Sequence, residues 1–465
     1  MPADAEAPAR PLFRELLRLG VPLVAGMGGH ALFNIVDLAM VGAYRGDKAP
    51  GPVADTISAV GVASIVLTVP IVFMNGISNG TVTVIARWFA AGKHRRANQA
   101  VRQALLLAGA LSVLLGVVPA FFSGTIASAF GLHAGTPAHA LGSEFLAVMF
   151  WNTWSVFLLL QVTANMRAVG MSVPTMALLL VSNVGNIFLN WVLVFGHLGV
   201  PEMGPMGAAW ATVYARGAAC LLAILLSTRA HPAIRLTLGG WRPRARFAWS
   251  VTKSAFPVAL QWTVRMAAIT AVMLAIAPFG ESELAAFSVG TRLDTLALFG
   301  GLGWGAACAA LVSHGIGRGS VREVRGVTSH AAVLNAGMMT VAGALYFAFA
   351  PHLIRLFSLG EGRTLSPQDV EAGVRYLRIA VFAYPGLALS VVWSHALNGA
   401  GSLKTPLAID TAGLLFVQVP LAWWLSTTRM GVSGAWWALV ASHTLLALVY
   451  YLAFRHGAWE RKRHR

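Results

Sequence analysis

From Gln103 to Met166 the chain carries one charged side chain, Glu144, and from Ala168 to Ala215 again only one, Glu202. Runs this long and this poor in charge cannot clothe a water-soluble domain, where about a quarter of residues are charged. Each is long enough for a hairpin of membrane-spanning helices, since one helix needs about 20 apolar residues to cross the hydrocarbon layer. The rest of the 465 residues follows suit, with 57% hydrophobic and 11% charged. Apolar runs, set against charged or Gly/Pro-rich breaks, predict helices near 16–44, 56–88, 96–120, 138–166, 174–196, 206–228, 247–277, 283–314, 326–350, 370–398, 406–426 and 432–455. The expected fold is an all-α integral membrane protein of about twelve transmembrane helices. The segment before the first helix is polar and lacks the short apolar core of a cleavable signal, so that helix is expected to be retained.

A net charge of +17 raises the question of nucleic acid, and the positions of the 34 basic residues answer it. They fall in alternate gaps between the apolar runs. With the amino terminus taken as cytoplasmic, 24 lie on that side, among them Arg87 to Arg102, Arg167 and Arg229 to Lys253, and 7 lie opposite. Arg216, Arg265 and Arg292 sit within or near the ends of helices. This asymmetry follows the positive-inside rule and predicts a multi-pass protein of the cell membrane with both termini cytoplasmic. Basicity is thus topology, with the lipid bilayer and its anionic headgroups as the partner rather than nucleic acid. Cys220 and Cys308 lie in apolar runs without metal-ligand spacing and read as small packing residues, with no metal site.

The chain repeats itself. Gly204-Pro-Met-Gly207-Ala208-Ala-Trp210-Ala211-Thr-Val213 returns 227 residues later as Gly431-Val-Ser-Gly434-Ala435-Trp-Trp437-Ala438-Leu-Val440, Gly92 returns as Gly319, and Gly170 and Pro174 are matched more loosely by Gly401 and Pro406. Six helices per repeat bring the chain back to its starting side, so two parallel six-helix bundles related by an axis along the membrane normal are expected. The division reads as residues 1–228, a basic cytoplasmic linker 229–246, and residues 247–465, with a transported molecule held in the cleft between the halves.

Ionisable side chains inside an apolar helix are costly, roughly 2.5 to 3.5 kcal/mol on insertion scales, and mark functional sites. Asp37 is one. His30, Asn34 and Asp37 follow at spacings of four and three, on one face of the first helix. Burial there disfavours the charged carboxylate, which suits a group that takes up and releases a proton; the alternative is a plain hydrogen bond to a neighbouring helix. In the fifth helix Asn183, Asn186 and Asn190 form a similar seam, either glue between helices or the partner of Asp37 across the cavity. The second half holds Arg265, Arg292, Asp294, His395 and Asp410. Arg265 is expected to pair with Asp294 or Asp410, as an internal ion pair or as a site for an anionic group on the cargo. Trp151 and Trp154 are candidates for lining a greasy cavity, although interfacial anchoring is the commoner use of such residues.

Signatures of catalysis are lacking: HExxH and the P-loop do not occur, and the single GxSxG, Gly76-Ile-Ser78-Asn-Gly80, falls inside an apolar helix and reads as small residues for packing. Without an ATP site, uphill transport must draw on an ion gradient.

The sequence resembles the multidrug and toxic compound extrusion (MATE) family over nearly its whole length. The resemblance is carried by NIVDLAMVG, TVTVIARWFAAGKHRRANQAV, NIFLNWVLVFGHLGVPEMGPMGAAWAT, GTRLDTLALFGGLGWGAACAALVSHGIGRG and LNGAGSLKTP. It implies two six-helix bundles in a V and export of cationic or lipophilic compounds against protons or sodium, without an organic cofactor. By resemblance, Asp37 is the carboxylate linked to proton coupling, Asn186 and Asn190 a polar pair, Thr212 the threonine of a sixth-helix pattern, and His30 stands where some relatives carry glutamine. Two departures bear on the ion. The acidic seventh-helix position falls near Arg265, and the tenth-helix Pro-Asp reads Pro385-Gly386. Proton coupling is therefore expected over sodium in a monomeric antiporter of small amphipathic or cationic compounds. The competing readings are a lipid-linked precursor flippase of the same superfamily and an intramembrane enzyme.

Overall fold

A computed structural model describes residues 12–44, 53–229, 235, 241, 244–360, 366–457 and 459–460, with the side chains of 30–35, 37–39, 41–43, 53–58, 229, 246–247, 281 and 357–360 outside the description. All regular structure among the described residues is helical. Twelve long helical spans run α1 Leu12–Ala43, α2 Val53–Ala90, α3 His94–Ala120, α4 Pro137–Ala168, α5 Ser172–Phe195, α6 Pro205–Arg229, α7 Ala245–Ile276, α8 Glu281–Arg318, α9 Val321–Gly360, α10 Pro367–Gly399, α11 Lys404–Ser426 and α12 Val432–Arg455. At about 1.5 Å per residue, even α11, with 23 residues, reaches roughly 35 Å, enough for a hydrocarbon layer of about 30 Å. α4 is broken at Asn152 and bends by 45°, within the stretch near 138–166 expected as one helix. α3 and α11 contain π-helical stretches at Val113–Val117 and Thr411–Gln418.

The repeat has a backbone cause. Gly92 and Gly319 close α2 and α8 in the left-handed region, with φ of 71° and 79°, a conformation that costs a residue with a Cβ. Gly207 and Gly434 lie against the carboxyl ends of the preceding helices: a Cβ on either would stand 2.6 Å from the carbonyl carbon of Leu193 or Leu425 respectively. Equivalent glycines thus allow equivalent close approaches in the two six-helix bundles.

The bundles exchange partners symmetrically: α1 packs on α8, and its counterpart α7 packs on α2. Small residues permit the approach, as is usual between membrane helices. A Cβ on Gly76 would stand 2.7 Å from the Ala259 amide nitrogen, and one on Gly80 2.9 Å from the Ser254 carbonyl oxygen. Gly303 lies equally close to the backbone of Val24. The GxSxG run is therefore a packing surface, with the Ser78 hydroxyl buried inside it.

Twelve spans return the chain to its starting side, and the contacts joining the halves lie on this terminal side. Leu16, Leu19 and Leu23 share a core with Ala307 and Leu311. Hydrogen bonds cross there from Thr83 Oγ1 to the Asn398 carbonyl at 3.1 Å, from Arg87 Nη2 to the Ala400 carbonyl at 3.3 Å, and from His314 Nε2 to the Ala168 carbonyl at 2.9 Å. Toward the far side the same pair of helices exposes Ile65 and Val69 on α2 and Ile269 and Leu274 on α7.

Candidate functional site

Two buried polar clusters and one cavity hold seven of the candidates: Asn183, Asn186, Asn190, Thr212, Arg265, Asp410 and His395. On α5, spacings of three and four bring Asn183, Asn186 and Asn190 to one buried face. Asn190 Nδ2 donates to Asn186 Oδ1 at 2.9 Å, and Asn186 Nδ2 donates to Thr212 Oγ1 on α6 at 2.9 Å. The neighbour on the other flank is α1, with Gly26 beside Met176 and Leu179 and Gly29 beside Leu180. The two helices run parallel, so eight residues beyond Gly29 and Leu180 the backbones of Asp37 and Phe188 stand at about the same depth, between Asn186 and Asn190. The side chains of His30, Asn34 and Asp37 lie outside the described residues.

The second cluster centres on Asp410, which ends the helical turn before the π stretch of α11 and is 0% exposed. Its carboxylate accepts from Arg265 Nε at 2.7 Å, Gln261 Nε2 at 2.8 Å and the Tyr450 hydroxyl at 2.7 Å. Gln261 also donates to Ser394 Oγ at 2.8 Å and accepts from Asn398 Nδ2 at 3.2 Å. Four helices, α7, α10, α11 and α12, are tied at one point. Of the two partners open to Arg265 from sequence, the structure therefore gives Asp410. Asp294 instead accepts from the hydroxyls of Tyr376 at 2.5 Å and Tyr384 at 2.8 Å, two residues of α10. Arg292, two residues earlier on α8, is half-buried and does not join the Asp410 cluster.

Between the halves, on the terminal side of the molecule, lies a cavity of about 20 Å³, room for about one water. α2 and α4 supply Asn79 and Arg167; α7 supplies Gln261, Trp262 and Arg265; α10 supplies Ser394, His395 and Asn398. His395 Nδ1 is held by the Val391 carbonyl at 2.8 Å. Trp151 and Trp154 are 46% and 42% exposed, Trp151 stacking edge-on against Phe121 beside the break in α4, and neither lines this cavity.

Sequence reasoning missed Gln261, Tyr450, Asn79 and Asn398. Gln261 stands one turn before Arg265, a spacing that signals a shared face; the others meet the site only through contacts between helices. By sequence alone Arg167 reads as one of the basic residues between apolar runs. It is in fact 8% exposed at the end of α4, where its Nη2 donates to Asn79 Oδ1 at 3.2 Å.

The MatE family model matches residues 22–192 and again 254–424, once in each half and over most of the chain. The chain belongs to the MatE family. It is similar to the probable multidrug resistance protein NorM of Thermotoga maritima, 24% identical over 452 residues, which cover 97% of this chain and 93% of that protein. Among solved structures, it superposes with a TM-score of 0.84 on a multidrug resistance MATE family transporter of the MOP superfamily in an outward-facing conformation, at 22% identity over 97% of this chain and 96% of that one. A MOP superfamily transporter from Pyrococcus furiosus, described by the reverse polarity of its binding pocket, superposes at 0.86 with 21% identity over the same shares. At these identities the structural likeness concerns the fold: twelve transmembrane helices in two bundles. MatE relatives are transporters and not enzymes, so this chain is a multi-pass membrane protein of a multidrug efflux transporter family.

Proposed function

We propose that this MatE protein is a proton-driven antiporter that exports small amphipathic compounds by alternating access, with Asp37 as the coupling carboxylate. The observation that carries the reading is the buried amide seam of Asn186, Asn190 and Thr212, flanked by α1 at the depth of Asp37. A carboxylate that gains and loses a proton needs nearby groups able to both donate and accept, and amides and hydroxyls do so in place. In the second half a guanidinium, matched by Asp410, stands in the inter-bundle cavity, which favours protons over sodium as the coupling ion. The driving force suffices: about 150 mV is worth roughly 3.5 kcal/mol per charge, a gradient of several hundredfold at 1.36 kcal/mol per tenfold.

In this reading residues 1–228 and 247–465 are the moving halves and 229–246 their cytoplasmic linker. The protein works as a monomer in the cell membrane, with both termini inside and the terminal side facing the cytoplasm. Closure on that side is then the outward-facing state. The flippase reading is less favoured, because Arg265 is neutralised by Asp410 at 2.7 Å. The test is dye efflux from proteoliposomes under an imposed pH gradient. Asp37→Asn abolishes pH-driven efflux, with dye binding kept; driven efflux at the parent rate in this variant sinks the mechanism.

A further inference from the structure

Among the described residues, the cavity between the halves is lined by two arginines and a histidine and by no carboxylate, and only one of the arginines is matched by an acid. Arg265 has Asp410 behind it. Arg167 has Asn79, a neutral amide, at 3.2 Å. A guanidinium 8% exposed at the junction of two membrane bundles, hydrogen-bonded to a neutral amide oxygen, carries a charge that no described acid matches. Its planar fork of donors suits a carboxylate or a phosphate.

We infer that Arg167 is the docking point for an anionic group, a carboxylate or phosphate ester on an aromatic or apolar body, in the cargo that this transporter collects from its terminal side. The inference deepens the proposed transport function and rests on it. In the arrangement described the site is shut, since about 20 Å³ admits about one water and no cargo head. Its walls come from both halves. Arg167 and Asn79 belong to the first, so their hydrogen bond survives when the halves part, while Gln261, Arg265 and His395 recede with the second. Parting also breaks the bond from His314 to the carbonyl of Ala168, the residue beside Arg167, and so uncovers the arginine on the side from which an exporter loads. Trp262 on the facing wall supplies an aromatic surface for the apolar body. Reclosure then delivers the anion into a cavity of net positive charge that also holds the donors of Gln261 and Asn398, a reason for the head to stay until the far side opens.

The test is equilibrium dialysis of 1-naphthyl phosphate and 1-naphthylammonium against the full-length protein in phosphatidylcholine nanodiscs, where both faces are accessible. Binding is measured without a gradient, so failure here is distinct from failure of coupling through Asp37. Arg167→Gln is expected to weaken naphthyl phosphate by about 30-fold to several thousandfold, the size expected for truncating one partner of a buried charge pair. Arg167→Lys retains most of the affinity, and naphthylammonium is unmoved by either change. Asn79→Asp gives Arg167 a resident carboxylate and lowers phosphate binding as strongly while the arginine and the fold remain, which keeps the test decisive if Arg167→Gln misfolds. Phosphate binding at parent affinity in both Arg167→Gln and Asn79→Asp, or an equal loss of both probes, overturns the inference. Adding phosphatidylglycerol to the discs separates the sources of the anion: competition identifies a lipid headgroup as an occupant of the arginine site, and undiminished binding identifies a soluble cargo.

Discussion

Removing the charge of Asp410 is the sharpest perturbation of the second half. Its carboxylate accepts three hydrogen bonds of 2.7 to 2.8 Å, from Arg265, Gln261 and Tyr450, and is wholly buried. Asp410→Asn keeps the shape, removes the charge and turns one acceptor into a donor that faces another donor. Breaking a buried ion pair by loss of one partner costs about 3 to 5 kcal/mol. The Arg265 side chain is 19% exposed and keeps some solvation, which places the expected loss near the lower end, about 3 kcal/mol, on the order of 10²-fold in the unfolding equilibrium. Arg265→Gln should cost a similar amount. The double variant should cost far less than the sum, because two amides can hydrogen-bond without an unmatched charge. Reversible unfolding in mixed micelles, titrated with a denaturing detergent, reads all four corners of this cycle. An Asp410→Asn loss below about 1 kcal/mol, or additivity in the double variant, would refute the assignment of the pair as the tie between α7 and α11.

Two other expectations follow from the packing. Tyr376→Phe and Tyr384→Phe each remove one donor from half-buried Asp294 and should each lower stability by about 1.5 to 3 kcal/mol, less than additively because they share an acceptor; thermal unfolding measures both. Gly76→Leu drives a side chain into the backbone at Ala259 and should abolish transport along with much of the stability, whereas a Cβ at Gly185 meets nothing within 4 Å, so Gly185→Ala should be neutral or stabilising by about 0.5 to 1 kcal/mol in the same assays.

Much of this was legible in the chain, because lipid is an unforgiving solvent. Backbone groups must be satisfied within each helix, so apolar length alone locates the spans to within a few residues, except for α9, which runs on to Gly360 where an end near 350 was expected, and glycines recurring at a fixed offset locate helix ends. Amides at spacings of three and four announce the α5 seam, since helical periodicity is local. The partner chosen by Arg265 is not local. Asp294 and Asp410 stand at different places around the second bundle, and only packing decides that two tyrosines satisfy the first and a guanidinium the second. Arg167 was misread for the same reason: a cation at a helix end looks like a loop residue until the other half of the molecule covers it. The break of α4 at Asn152 and the π stretch after Asp410 leave no mark in hydropathy, because neither changes which residues are apolar.

The repeat also gives a reason for the halves to divide their labour. The fifth helix of the first bundle carries a seam of buried amides, whereas the corresponding helix of the second, α11, carries a buried carboxylate paired with a guanidinium. A coupling carboxylate must spend part of each cycle without its charge. Asp410 cannot do so without leaving the Arg265 guanidinium unmatched, at the same cost of about 3 kcal/mol that substitution carries. That is most of what one proton supplies at about 150 mV. In the proposed mechanism the carboxylate is Asp37, on a helix that packs beside the amides of Asn186 and Asn190 and the hydroxyl of Thr212. Because α1 packs on α8, and α7 on α2, through the same kind of close contact, a change of charge in the first bundle bears directly on the second. In the proposed mechanism, proton uptake therefore resides in one half while the fixed ion pair ties the helices of the other together.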